Sequence, residues 1–265
     1  MNSITTTSFY AAPRISVRFW PVVLRNLLVW RKLAVPSVVG NIAEPLITLV
    51  AFGYGLGSMI GHVEGLPYVK YLASGSIAVS ATLAATFEAL YSAFSRMHVQ
   101  KTWESIMNAP IALDDIVFAE MLWAALKSMF SVAAIMAVIY ALDISRAPTM
   151  LLALPLLGLV GVTFASIALV FNALARNYDF FTYYFTLVIT PMTFLSGVYF
   201  PIAQMPGWLQ PVGEALPLTA AVKLVRPLIV GEMPADWLGP LAALAAYAAG
   251  GYYLALVLTR RRFFK

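Results

Sequence analysis

The chain has 265 residues, of which 61% are hydrophobic and only 11% charged, and its mean hydropathy is +0.83. That balance excludes an ordinary soluble domain. The formal net charge of +5 needs no nucleic-acid partner, because the cations flank apolar runs, and the absence of cysteine excludes disulfides and thiolate chemistry.

Residues 1–36 form a basic segment in which Arg14, Arg18, Arg25 and Lys32 stack on one helical face, with Arg31 beside them. Phe19, Val23, Leu27, Trp30 and Leu33 take the opposite face, the pattern of a helix lying in a membrane interface. Pro21 fits the first turn of a helix running to about Leu33, with Arg14 and Arg18 in a preceding segment. The alternative is a disordered basic tail. No short apolar run with a small-residue cleavage site precedes residue 37, so the first span itself is expected to direct insertion.

Six apolar runs follow, at 37–60, 71–94, 116–142, 150–175, 180–199 and 238–258. Each is close to the ~20 residues that a helix needs to cross the hydrocarbon core. The runs are apolar on every side rather than alternating, so the spans are helices and not barrel strands. The predicted fold class is an all-α membrane protein with six transmembrane helices, an N-terminal amphipathic interfacial helix and short re-entrant helices between spans five and six. Residues 1–36 make the N-terminal segment and 37–265 the transmembrane domain.

Between spans two and three, the loop at 95–115 is the expected docking surface. Trp103, Ile106 and Met107 share one face of a two-turn helix that ends before Pro110. Glu104 and Asn108 belong to the same segment. The loop at 200–237 carries prolines 201, 206, 211, 217, 227 and 234, with apolar stretches too short to span, and is expected to dip partway into the outer leaflet as small helices.

Within the spans, each ionisable residue costs roughly 2.5–3.5 kcal/mol at mid-bilayer on insertion scales, so Glu44, Glu88, Glu120 and Lys127 need a reason to be there. Glu44, Glu88 and Glu120 fall about 6–11 Å from the same end of their spans and Lys127 about 16 Å in. They either line an inward-facing cavity or lock helices together. Tyr178, Phe180, Phe181, Tyr183, Tyr184, Phe185, Tyr199 and Phe200 cluster at the two ends of span five. They read as interfacial belts, or as faces that stack on sugar rings, with Phe181, Tyr184, Tyr199 and Phe200 as candidates.

Six spans put both termini on one side. That side holds Arg14, Arg18, Arg25, Arg31, Lys32, Arg96, Lys101, Arg176, Arg260, Arg261, Arg262 and Lys265, against Lys70, Arg146, Lys223 and Arg226 opposite. By the positive-inside rule the richer side is cytoplasmic, and these cations read as solvated flanking charges. His62 and His98 fall on opposite sides and cannot form a metal pair. The sequence contains no G-x-S-x-G elbow and no phosphate loop for ATP. A proton-coupled carrier using the glutamates is the alternative to a machine powered from outside, with a membrane-embedded enzyme as a third class.

Two stretches carry a family resemblance. Residues 194–210, FLSGVYFPIAQMPGWLQ, continue into Leu216-Pro217-Leu218-Thr219 and Arg226-Pro227, with Gly197, Pro201 and Pro206 inside them. Residues 103–110, WESIMNAP, are followed by 116–120 and Trp123. Together they resemble the membrane subunit of ABC-2 type exporters. Thr102-Trp103-Glu104 and 190–197, TPMTFLSG, are most similar to the permeases of nodulation-factor, or lipo-oligosaccharide, exporters. Where relatives have a histidine after Pro-Leu-Thr, this chain has Ala220, so no role of that histidine carries over.

The resemblance implies two copies of this chain with two copies of a separate ATP-binding cassette subunit, which would hold ATP and magnesium, and no cofactor on this chain. It implies a multi-pass protein of a bacterial inner membrane, both termini cytoplasmic, moving an amphiphilic lipo-oligosaccharide or lipid-linked glycan outward. Trp103 and Met107 would sit in a groove of the ATP-binding subunit.

Overall fold

The computed structural model describes residues 9–264, apart from the side chains of Asn41 and Glu44, so the role expected of Glu44 lies outside the described residues. The helices are α1 (Phe19–Arg31), α2 (Ala34–Ile60), α3 (Tyr68–Val99), α4 (Thr102–Met107), α5 (Leu113–Ala141) and α6 (Pro148–Leu174). After them come α7 (179–195), α8 (Gln210–Ala215), α9 (Pro217–Val230) and α10 (Leu238–Phe263). A two-stranded hairpin, His62–Val63 against Leu66–Pro67, joins α2 to α3.

Five of these helices, α2, α3, α5, α6 and α10, are long and apolar enough to cross a membrane. The span expected at 180–199 is shorter than read. Its helix is built of pieces of six, five and six residues and gives way at Ser196-Gly197, where Gly197 has φ +73°. At ~1.5 Å per residue such a helix covers about 25 Å, less than the ~30 Å hydrocarbon core. Hydropathy ran past the helix end because Val198 and Tyr199 are apolar without being helical.

The bundle centres on α3, the most buried of the long helices, which packs against α5, α6 and α9. Its inward face is small, with Ala73, Ala81, Ala85 and Ala89 fully buried, so neighbouring backbones approach closely. The same logic governs the α5–α6 crossing at Gly161, where an added Cβ would lie 2.5 Å from Ser128 Oγ and 3.0 Å from Ala125 Cα. Gly161→Val should therefore cost about 1–3 kcal/mol by overpacking, and thermal unfolding in detergent would measure the drop.

Contacts define two ends of the bundle. At one, the chain ahead of α1, the C-terminal parts of α3, α6 and α10 and the N-terminus of α5 meet through Arg260, Asp114, Arg262 and Asn172. At the other, Tyr71, Gly197, Arg226, Ser145 and Ile229 meet. The first, where Arg260 and Arg262 gather, is the basic end.

The expected docking loop at 95–115 is shortened from both sides. Helix α3 runs on to Val99, and α5 already begins at Leu113. Asp114 and Asp115, read as part of that surface, are buried in the first turn of α5, where acidic side chains suit the helix dipole.

Candidate functional site

Glu88 on α3 and Glu120 on α5 converge at the basic end, and Arg96 joins them. Its Nη2 donates to Glu88 Oε1 at 2.8 Å and to Glu120 Oε2 at 2.5 Å, while its Nε donates to Glu120 Oε1 at 2.9 Å. Lys127 Nζ, two turns further along α5, donates to Glu88 Oε2 at 2.7 Å. Two indoles complete the shell: Trp123 Nε1 donates to Glu88 Oε1 at 2.8 Å and Trp103 Nε1 to Glu120 Oε1 at 3.1 Å. Asn26 of α1 adds a longer contact to Glu120 Oε2, 3.4 Å.

Both carboxylates are nearly inaccessible, 3% and 1% exposed. A buried charge survives only when paired and hydrogen-bonded, and here each carboxylate has both. Of the roles open from sequence, cavity lining and helix locking, Glu88 has the geometry of both, since it also lines the cavity beside this cluster, and Glu120 that of the second. Helices α1, α3, α4 and α5 are all tied to one pair of carboxylates. Arg96, read as a loop residue, lies inside α3 and turns back into the bundle.

Beside this cluster lies a cavity of about 460 Å³ between α1, α3, α5 and Tyr178. Trp30, Tyr91, Trp123 and Tyr178 wall it, and Arg25, Arg96, Lys127 and Glu88 are its charged lining. Burial, reinforced by Arg96 and opposed by Glu120, holds the Arg25 guanidinium below its ordinary range. Arg25 lines this cavity and is half-buried, unlike Arg18, Arg31 and Lys32, which are exposed. Helix α1 packs on α5 through Val22, Val23, Ala119 and Trp123, with Trp30 stacked on Phe130 at 5.1 Å.

Helix α4 is oriented opposite to the docking expectation. Trp103 is 1% exposed, bonded to Glu120 and stacked on Phe263 of α10 at 6.1 Å, so it is not free to enter a partner's groove. Ile106 and Met107 pack against the core. The surface that α4 offers consists of Lys101, Glu104, Ser105 and Asn108, followed by exposed Pro110, whose carbonyl accepts from Arg18 Nη1 at 2.5 Å. The apolar face was read correctly as a face, but its partner is the chain itself.

The C-terminal arginines are also not merely solvated flanking charges. Arg260 is buried and donates to Asp114 from Nε at 3.0 Å and from Nη2 at 2.5 Å, and to the carbonyl of Ala11 at 2.6 Å. Asp114 also accepts from the Arg14 N–H, and Asp115 from the N–H and hydroxyl of Ser16, which straps residues 9–16 to α5. Arg262 Nη1 donates to the carbonyls of Asn172, Ala173 and Ala175, closing the C-terminus of α6. Basic residues suit a helix C-terminus, which was the one available signal for Arg262. No sequence signal identified the Arg260–Asp114 pair.

At the opposite end the motif residues come together. Arg226 of α9 lies 3.7 Å over the Tyr71 ring and donates to the Gly197 carbonyl at 2.7 Å, which Tyr71 OH also reaches at 2.9 Å. Gly197, Pro201 and Arg226 share one pocket of about 340 Å³. Pro217 opens α9, and Pro206 is exposed in the turn before α8. The aromatic candidates divide. Phe181 and Tyr184 are packed inside against Phe94, Tyr91 and Phe171, whereas Phe200 is exposed and Tyr199 half-buried beside Phe52 and Phe194.

The sequence profile of the ABC-2 type transporter family matches residues 18–230. The chain is 43% identical over 255 residues to Nodulation protein J of Rhizobium leguminosarum bv. trifolii, covering 96% of this chain and 97% of that protein. Nodulation protein J of Rhizobium meliloti is 43% identical over 239 residues, covering 90% and 91%. Nodulation protein J of Sinorhizobium fredii is 41% identical over 238 residues, covering 90% and 91%.

Proposed function

Since this chain belongs to the ABC-2 type transporter family, as a multi-pass permease subunit of the nodulation protein J group, we propose that it forms the membrane half of an ATP-driven exporter of an amphiphilic lipo-oligosaccharide or lipid-linked glycan. Two copies would pair with two copies of an ATP-binding cassette subunit, which supplies ATP and magnesium. The bacterial inner membrane is the proposed location. The short α7 serves as a sixth crossing, putting both termini in the cytoplasm, with α1 in the membrane interface and α8 and α9 re-entrant from outside.

The observation that carries the coupling role is the geometry of α4. Its exposed face is polar, and its buried face holds Trp103, which bonds Glu120 and stacks on α10. A push on Glu104 or Asn108 is thereby delivered to α3, α5 and α10 together, because interfaces and packed cores switch between arrangements more readily than they stretch. The brace of Glu88, Glu120 and Arg96 keeps the basic end rigid enough to transmit it. Pairing of both glutamates with cations favours this brace over a proton-coupled carrier, which needs a carboxyl free to exchange its proton.

The direct test is to purify the tagged chain in mild detergent and score co-purifying proteins by mass spectrometry. An ATP-binding subunit at near-equal stoichiometry is the expected result, and a stable complex lacking any ATPase would defeat the reading. Topology has its own check, made clean by the absence of cysteine. Single cysteines at Arg146 and Glu214 should react with an impermeant thiol reagent applied from outside. Cysteines at Gln100 and Arg176 should not, and the reverse labelling would invert the orientation.

A further inference from the structure

Among the described residues, the cavity beside α1 holds more positive charge than its carboxylates balance. Arg25, Arg96 and Lys127 line it together with one carboxylate, Glu88. Glu88 and Glu120 are the carboxylates that face these cations, and both are committed to Arg96 and Lys127. Among the described residues Arg25 forms no ion pair. Among those residues its one side-chain bond is Nη1 to Asn26 Oδ1 at 3.1 Å, which leaves most of its planar fork of donors uncommitted on the cavity lining. One unbalanced cation, half-buried and next to a second guanidinium, is an unfavourable arrangement for the empty cavity and a favourable one for a bound anion.

We infer that this cavity is a binding site for a single anionic oxyacid group, a phosphate or sulfate ester, carried by an amphiphile or free in solution. The fit is chemical as well as electrostatic. A guanidinium presents paired N–H donors that match two oxygens of such a group, and Lys127 adds a point charge from the far wall. Serine hydroxyls at Ser37, Ser92 and Ser95 supply neutral donors on the same lining. Exposed Val29 and Leu33 form an apolar rim along α1, against which an acyl or sugar-bearing tail can lie. The site rests on the permease reading for its use, since it would present the charged head of a cargo or a regulatory lipid to the helix that α4 moves, but its existence does not depend on transport.

The experiment uses the full chain, with its ATP-binding subunit where the two co-purify, in phosphatidylcholine nanodiscs. Binding of short-chain phosphatidate is followed by the fluorescence of the tryptophans, two of which, Trp30 and Trp123, line the cavity. Phosphatidate should bind and short-chain phosphatidylcholine should not. Arg25→Gln should weaken binding about tenfold or more, the scale of a lost hydrogen bond to a charged group. Arg25→Lys should retain most of it, and Arg31→Gln, at an exposed residue of the same helix, should change nothing. Competition by inorganic phosphate would identify a free-anion site, and resistance to it a lipid headgroup site; either supports the inference. Equal binding of both lipids, or equal loss in Arg25→Gln and Arg31→Gln, overturns it. Loss of anion binding with the ATPase still present would sink this inference alone, and an anion bound by a chain with no ATPase would sink the export reading alone.

Discussion

Arg96→Met should be among the most damaging single replacements in this chain, lowering the yield of folded protein and abolishing export. The substitution strands two carboxylates that are nearly inaccessible, because among the described residues Arg96 alone bonds both. Removing one partner of a buried ion pair costs about 3–5 kcal/mol, since the remaining charge has neither water nor a counterion. Glu88 would keep Lys127 and Trp123, whereas Glu120 would keep only Trp103 and the long Asn26 contact. The asymmetry makes a sharper statement. Arg96→Met combined with Glu120→Gln should be less destabilised than the sum of the two single changes, because neutralising Glu120 removes the charge left stranded. Size-exclusion profiles and thermal unfolding of the four proteins in detergent measure the cycle. Simple additivity would show that the brace is not a unit.

Export and fold should separate on the two faces of α4. Trp103→Glu places a carboxylate opposite Glu120 and removes the stack on Phe263, so the chain itself should fail to assemble. Glu104→Arg with Asn108→Arg changes only exposed positions, which ordinarily shift stability by less than about 0.5 kcal/mol. Those two changes should leave the chain folded in the membrane while cutting stimulation of the ATP-binding subunit and export by tenfold or more. The measurements are membrane yield, ATPase rate in proteoliposomes and export of labelled glycolipid. If Trp103→Glu were folded but uncoupled, and the arginine pair silent, the coupling surface would be the apolar face after all.

Together these results would separate a brace from a contact surface. The brace consists of Glu88, Arg96, Glu120, Trp103 and Trp123, and its role is to make the basic end move as a body. The contact surface is the short polar ridge of Lys101, Glu104, Ser105 and Asn108.

By itself, the sequence determined what depends on the solvent that each segment prefers. Apolar runs at 37–60, 71–94, 116–142, 150–175 and 238–258 became α2, α3, α5, α6 and α10, because a run of apolar residues cannot satisfy its backbone in lipid except as a helix. Local chemistry also located α4 ahead of Pro110 and small helices, α8 and α9, in the proline-rich loop at 200–237. Glu88, Glu120 and Lys127 were legible as out of place, since the cost of an intramembrane charge is a property of one residue in one run. Tertiary structure alone decided which cation answers which carboxylate. Arg96 joins residues 88 and 120, and Arg260 joins residues 11 and 114, through space that no periodicity describes. The same holds for the apolar face of α4. An amphipathic helix announces that one face will be buried, but the surface that buries it is supplied by packing, and here it is Glu120 and Phe263 rather than a partner. Solvent preference is local and additive along a chain, whereas pairing is a property of the packed whole.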